Sequence, residues 1–345
     1  MKGLLRGLGR VLAIALETVV LTAAVLLGAI YVLERGPSAA ARELFVMSVR
    51  ETSAVGFLAD LFLSPEEIAA IENKPEEAEL VETDTSLINF PQNDESEKPE
   101  GPVADEWGLV DEDGDGIIVE PVKGQGYSGF MMVVPDPSRV IMGTIPESYG
   151  GRGYTVAEMV EKFDAVAGIN AGGFEDPNGS GNGSMPNTLV VSDGEIYCER
   201  KGVKDGFVGF DSNHILHVGK LTPQEIREKD IQNGVCFGPV LVANGEPCEL
   251  AASGVNPRTA IGQRSDGAVL LLVIDGRQVI SLGATHQDMI EIFLEYGAVN
   301  ACNLDGGSSS LMWYQGDYIN NCASVIGIRP VPTTFLVLKE GAENG

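Results

Sequence analysis

The chain has 345 residues, 50 acidic against 23 basic side chains, and a formal charge of −27 at pH 7. Binding a phosphate backbone needs a basic face, so this balance excludes nucleic acid as a partner. It also argues against the bulk of the chain lying flat on anionic lipid. The five cysteines, Cys198, Cys236, Cys248, Cys302 and Cys322, are odd in number and widely spaced. They form neither a disulfide framework nor a CxxC zinc pattern; one bridge stays open, and Cys302 reads as a small buried residue.

Lys2, Arg6 and Arg10 precede an apolar run from Val11 to Leu33, interrupted by Glu17 and two threonines. A membrane span needs about 20 residues, whereas a signal-peptide core has about 7–15. The run is therefore expected to be a transmembrane anchor. The basic flank keeps residues 1–10 in the cytoplasm and sends the remainder across, giving a single-pass cell-membrane protein. Cleavage at Ala39-Ala40-Ala41 after a long signal peptide is the competing reading. Ala39–Ile71 has helical periodicity, with Leu44, Met47, Phe57, Leu58, Leu61 and Phe62 at apolar positions. This juxtamembrane segment, 39–71, suits a helix pair or an oligomer interface, and the oligomeric state stays open. Residues 72–106 are rich in Glu, Asp, Pro and Asn and poor in aromatics. Such a composition predicts a flexible, self-repelling linker.

From Trp107 onward the character changes. Strand-length apolar runs recur at Gly129–Val134, Leu189–Val191, Val240–Val242, Val269–Ile274, Ala298–Leu304 and Phe335–Leu338, bounded by turn pairs such as Asp193-Gly194 and Asn244-Gly245. Two helices are expected. Thr155–Phe163 and Thr285–Tyr296 both begin with a threonine and carry an acid three residues later, the capping-box spacing. The predicted fold class is α+β, a single exported domain over 107–340 with a mixed, largely antiparallel sheet and few helices. The acidic run Asp111–Gly116 matches the first positions of a calcium loop, but position twelve is Val122 and no flanking helices are evident. It is expected to be an acidic hairpin turn.

Five places put polar groups where strands should end: Asn170, Arg258, Asp275-Gly276-Arg277, Arg329-Pro330 and Asn303-Leu304-Asp305-Gly306-Gly307-Ser308-Ser309. Each alone has an ordinary explanation as a turn former or an edge charge. If the ends converge, they make a cleft with two carboxylates and one or two guanidinium groups. Gly306 and Gly307 let the backbone approach a ligand, and the serines beside them supply hydroxyls and N–H groups.

These elements, in this order, also resemble the phosphodiester glycosidase family, whose bacterial members include exopolysaccharide-related proteins. The resemblance rests on Asn170-Ala171-Gly172-Gly173-Phe174, Phe237-Gly238-Pro239 with Asn244-Gly245, Arg258-Thr259-Ala260-Ile261-Gly262, Asp275-Gly276 and the Asn303–Ser309 stretch, over about Val122–Leu338. Two departures stand out. Ser308 sits where the family usually has a third glycine, and an extra Ala171 follows Asn170.

The resemblance implies hydrolysis of a sugar-1-phosphodiester, in an envelope glycopolymer or a glycan. In this reading Asp305 is base or nucleophile at the anomeric centre, and Asp275 is its acid/base partner or orients sugar hydroxyls. Arg258 clamps the phosphate, with the N–H groups of Gly306, Gly307 and Ser308, beside Ser309, as fixed donors. Asn170 and Asn303 bind sugar hydroxyls or an N-acetyl group. His286 is expected to face solvent, and Trp313 to pack. The sequence requires no cofactor, although Asp305 and Asp275 are alternatively placed to share a divalent cation. The competing function is a non-catalytic glycan-binding or exopolysaccharide assembly protein using the same cleft.

Overall fold

The computed structural model describes residues 2–52, 55–72, 82–90, 104–175, 181–199, 205–324 and 327–341. It divides into two compact units, Met1–Pro75 with Ala252–Gly254, and Glu76–Ala251 with Val255–Gly345.

The first unit is helical. In α1 (Lys2–Arg35), the stretch Gly9–Arg35 is long and apolar enough to cross a membrane or to serve as a signal sequence. Helix α2 (Ala39–Arg50) starts at Ser38, whose hydroxyl accepts the Ala41 N–H. A 3-10 turn at Gly56–Asp60 and α3 (Pro65–Glu72) complete the unit. Its core is Val46, Val49, Ala59, Leu63 and Ile68. Of the apolar positions read from the sequence, Leu58 packs against this core, whereas Leu44, Phe57 and Leu61 are exposed. The β-branched pair Val46 and Val49, three residues apart, turns inward and leaves Leu44 on the opposite side of α2.

The second unit carries three sheets, with strands numbered in chain order. The first sheet runs β1 (Ile118–Gly124), β2 (Tyr127–Val134), β13 (Val269–Ile274), β12 (Arg258–Arg264), β14 (Ala298–Asn303), β10 (Val240–Ala243), β11 (Glu246–Pro247). The second runs β16 (Asp317–Tyr318), β15 (Met312–Tyr314), β4 (Ala165–Asn170), β17 (Thr333–Leu338), β3 (Val140–Thr144). The third runs β6 (Glu195–Tyr197), β5 (Val190–Ser192), β9 (Ile231–Cys236), β7 (Asp205–Asp211), β8 (Leu216–Leu221). Every described pairing is antiparallel. The α+β expectation holds, with three sheets in place of one.

The alternation along β13 shows how the layers are held. Leu271 and Val273 enter a core shared with Ile169 and Phe335 of the second sheet and Phe210 and Val235 of the third. Leu270, Leu272 and Ile274 point the other way, onto Met289, Ile292 and Phe293 of α6 (His286–Glu295). Period two in the strand thus meets period 3.6 in the helix. Gly262 of β12 lies beneath Phe293, where an added Cβ would sit 2.8 Å from a ring carbon. Both expected capping boxes form, at Thr155 and Glu158 for α4 (Val156–Lys162) and at Thr285 and Asp288 for α6. A third, at Thr222 and Glu225, starts α5 (Pro223–Glu228).

Part of the expected linker departs from its prediction. Thr83 exchanges hydrogen bonds with the Val218 backbone, and Asp84 N–H donates to Asn244 Oδ1 at 2.8 Å. Asn89 N–H donates to Ser265 O at 2.7 Å, and Ile88 is buried. Residues 82–90 are therefore fastened to the β unit by backbone donors that composition does not reveal. Residues 73–81 and 91–103 lie outside the described residues. Asp111–Gly116 forms a bend ahead of β1 rather than the expected hairpin turn, since no described strand precedes it; Asp111 accepts the Gly114 and Gly116 N–H groups at 2.8 and 2.9 Å.

Candidate active site

The antiparallel register brings the polar strand ends together. Arg258 opens β12 opposite Ile274, the last residue of β13, so Arg258 and Asp275 leave the sheet at the same end. On the other side of β12, Ala260 pairs with Asn303, which ends β14. The second sheet supplies Asn170 from the end of β4.

Asn170 ties the two sheets at this point. Its Nδ2 donates to Asp305 O at 2.5 Å, while its Oδ1 accepts Thr259 Oγ1 at 2.9 Å and Leu311 N–H at 3.1 Å. Asp305 N–H donates to Ala171 O at 2.9 Å, and Leu304 N–H to Thr259 O at 2.8 Å. Gly307, at φ +63, sends its N–H to Pro257 O at 2.8 Å. An added Cβ on Gly306 would sit 2.8 Å from that same oxygen, so the bend admits only glycine there. Asp305 is therefore presented, partly buried, on a bend stitched to both sheets.

One guanidinium group, that of Arg277, contacts the bend, and two more share its region. Arg258 is 7% exposed and donates from Nε to Ala284 O at 3.1 Å. Arg277, held at φ +58, reaches Ser308 Oγ with Nη1 and Asn256 Oδ1 with Nη2, both at 3.3 Å. Burial, then the cations of Arg258 and Arg329, lower the pKa of Arg277, so the three arginines share one region. Arg329 also stacks 5.2 Å from the centre of the Phe174 ring. His286 lies beside this cluster. Burial and then the Arg258 cation push its pKa down to about 3, leaving a neutral imidazole at physiological pH. The expectation that His286 faces solvent is corrected: its Nε2 is buried, and it feels the Arg258 cation.

Other expected roles meet constraints that sequence does not show. Asp275 is 4% exposed, and both its oxygens are occupied. Oδ1 accepts Asn320 Nδ2 at 3.1 Å and Asn321 N–H at 2.9 Å, while Oδ2 accepts Asn321 Nδ2 at 2.8 Å. Asn303 is buried and donates from Nδ2 to Gly238 O at 2.8 Å; its Oδ1 has no hydrogen-bond partner among the described residues. The Gly307 N–H is spent on Pro257, whereas those of Gly306 and Ser308 make no hydrogen bond to other described residues. Ser309 is buried in the 3-10 turn Gly307–Ser309.

All five cysteines are free thiols. Trp313 packs edge-on against Tyr318, ring centres 4.8 Å apart. Among the described residues, Asp111, Asp113 and Asp115 form one acidic group with oxygens within 4.8 Å of one another.

Sequence reasoning flagged the Asp-Gly-Arg and Arg-Pro motifs but missed that Arg277 and Arg329 meet Arg258, and missed Asn256, Asn320 and Asn321. A left-handed φ at an arginine leaves no signature in sequence, and Asn320-Asn321 resembles any polar loop.

Comparison with known proteins identifies the family and the fold. A family model described as phosphodiester glycosidase matches residues 163–338. An uncharacterized SPbeta prophage-derived protein of Bacillus subtilis is 33% identical over 186 residues, covering 50% of this chain and 28% of its own. The mouse N-acetylglucosamine-1-phosphodiester alpha-N-acetylglucosaminidase is 26% identical over 226 residues, covering 58% of this chain and 42% of its own. The chain thus spans less than half the length of these relatives. The zebrafish counterpart's catalytic domain, solved in a state auto-inhibited by its pro-peptide, superposes with a TM-score of 0.54 at 19% identity. That match covers 65% of this chain and 82% of the solved one, and it shows a shared fold.

Proposed function

The chain belongs to the phosphodiester glycosidase family, and on that premise we propose that it hydrolyses the bond between a sugar's anomeric carbon and a phosphodiester oxygen, on the outer side of a membrane that α1 anchors it to. The observation that carries this reading is the carboxylate of Asp305, fixed on a bend held by Asn170 and flanked by Arg258 and Arg277.

The chemistry follows from the leaving group. A phosphate monoester departs as a stabilised anion, so it needs charge neutralisation more than protonation. Arg258 and Arg277 are suited to that task, with the unspent N–H groups of Gly306 and Ser308 as further donors. Asp305 works at the anomeric carbon. As a base it takes a proton from water while the water oxygen bonds to that carbon and the carbon–phosphate oxygen bond breaks. As a nucleophile it forms a glycosyl ester that water then opens. The saturated hydrogen bonding of Asp275 and Asn170 favours positioning roles for both. Asp275 holds the Asn320–Asn321 segment, and Asn170 holds the Asp305 bend. Asn303 retains one unpaired buried acceptor toward the end of β14. The proposed substrates are sugar-1-phosphodiesters of an envelope glycopolymer or glycan.

The test is release of phosphate ester from a panel of such compounds by the full-length protein and its Asp305→Asn variant. Turnover by the wild type alone supports the reading. Sugar-phosphate binding by both proteins with turnover by neither makes the protein a glycan-binding module instead.

A further inference from the structure

The hairpin that follows Arg277 breaks the ordinary chemistry of turns. Gln278 and Ser281 close it, with N–H to O distances of 2.9 and 3.2 Å in the two directions. At its apex Val279 is 100% exposed and Ile280 78%, with Leu282 beside them at 60%. Apex positions normally hold Gly, Asn, Asp, Ser or Pro. Two β-branched residues there lose turn propensity and gain little burial among the described residues.

The hairpin is firmly based. Arg277 N–H donates to Leu282 O at 3.1 Å, and Leu282 N–H to Gly126 O at 2.7 Å. Ser281 Oγ donates to Asp275 O at 2.7 Å and accepts Ser128 N–H at 3.0 Å. A rigid base thus holds an apolar tip in solvent. The same short segment turns the Arg277 guanidinium onto Ser308 beside Asp305. Cation and tip are two residues apart, so one ligand reaches both only if it joins an anion directly to an apolar body.

We propose that Gln278–Ser281 is a membrane-interfacial tip and that the aglycone of the phosphodiester is a lipid, making the substrate a glycosyl phospholipid seated in a bilayer. This rests on the hydrolase reading above. Water bonds to the anomeric carbon and gives its proton to Asp305. The carbon–oxygen bond breaks toward phosphate, the lipid phosphate keeps the electron pair and stays in the bilayer, and the sugar leaves into water.

Two further observations favour a lipid over a protein partner. Three aliphatic side chains on one turn fall well short of the roughly 800 Å² per side of a stable protein interface, yet they suffice to enter the headgroup boundary. The chain also carries its own helix able to span a membrane. The net charge of −27 keeps the remaining surface from lying on anionic lipid, which suits entry by a small tip alone.

The experiment uses the full chain in nanodiscs and has two arms. In the first, Val279→Trp is placed in discs whose phospholipids carry acyl-chain bromines. Quenching well beyond that of native Trp107 and Trp313 in the wild type is expected, and equal quenching overturns the proposal whatever the activity. In the second, a Val279→Ser, Ile280→Ser double variant hydrolyses two phosphodiesters of one sugar, one with a diacylglycerol aglycone and one with a methyl group. The expected result is at least a tenfold higher KM for the lipid with an unchanged KM for the methyl ester. Equal behaviour toward both esters overturns the lipid assignment while leaving the hydrolase reading intact. Turnover of neither by the wild type removes the hydrolase reading, and with it the assignment of the tip to substrate, even where quenching persists.

Discussion

Asp305 sits partly buried on the bend, whereas Asp275, just past β13, is 4% exposed, so their substitutions should separate. Asp305→Asn should lower kcat by roughly 10³-fold or more, because no other carboxylate is placed on the bend. Its melting temperature should stay close to wild type, since the bend is held through the Asp305 backbone. Asp275→Ala should act first on stability. It leaves the Asn321 side-chain donor and N–H without their acceptor, while Asn320 Nδ2 keeps Ser310 O, and about 1–3 kcal/mol is lost for each buried group left unpaired. Urea midpoints of the two variants check this: a destabilised Asp305→Asn beside an unaffected Asp275→Ala would reverse the assignments. Arg277→Gln should reduce kcat/KM by about 10–100-fold, the cost of one charge-assisted hydrogen bond of about 1.4–2.7 kcal/mol. A loss of that size in turnover without change in fold would place Arg277 at the phosphate.

At the scale of elements, the readable parts were those whose signal is local. The capping boxes at Thr155 and Thr285 were legible because side chain and partner are three residues apart. Thr285→Ala should cost about 1 kcal/mol in unfolding free energy, and it should also perturb His286, the next residue. The strands around Gly209 and Gly234 were not legible. Glycine reads as a turn signal, yet these two pair across β7 and β9, where the Phe207 ring lies over both. An added Cβ on either would meet that ring at 2.7 or 2.5 Å. Only the folded neighbour explains the glycines. The candidate site divides in the same way. Asn170, Arg258, Asp275 and the Asn303–Ser309 bend were visible as polar strand ends. The bonds that bury Asp275 and bend the chain at Gly307 depended on Asn320, Asn321 and Pro257, residues 45 to 50 positions away in sequence from those they bond.

For the molecule as a whole, acid should act in two stages. His286 has a folded pKa of about 3 against an unfolded value near 6.5. The unfolded chain therefore takes up the proton first, so this contribution is complete above about pH 6.5 and is lost as pH falls toward 3. The slope is up to about 1.4 kcal/mol per pH unit. Asp211 acts later. Burial pushes its carboxyl up, but the hydrogen bond from His217 and those from the Ile215 and Asn213 N–H groups outweigh this and hold it below the usual carboxylate range. Its contribution is complete above its unfolded value of about 3.9 and is lost as pH drops through the lower folded value. Relief of acidic self-repulsion works in the opposite sense, since 50 carboxylates face only 23 basic groups. That relief begins only near the carboxylate range, about pH 4–5. Between about pH 6.5 and 5 the loss from His286 therefore acts with little relief of charge. Stability measured by urea unfolding should decline across that interval in the wild type, and the decline should flatten in His286→Gln, which keeps a neutral polar group there. An unchanged slope in the variant would show that the imidazole beside Arg258 is not the group responsible.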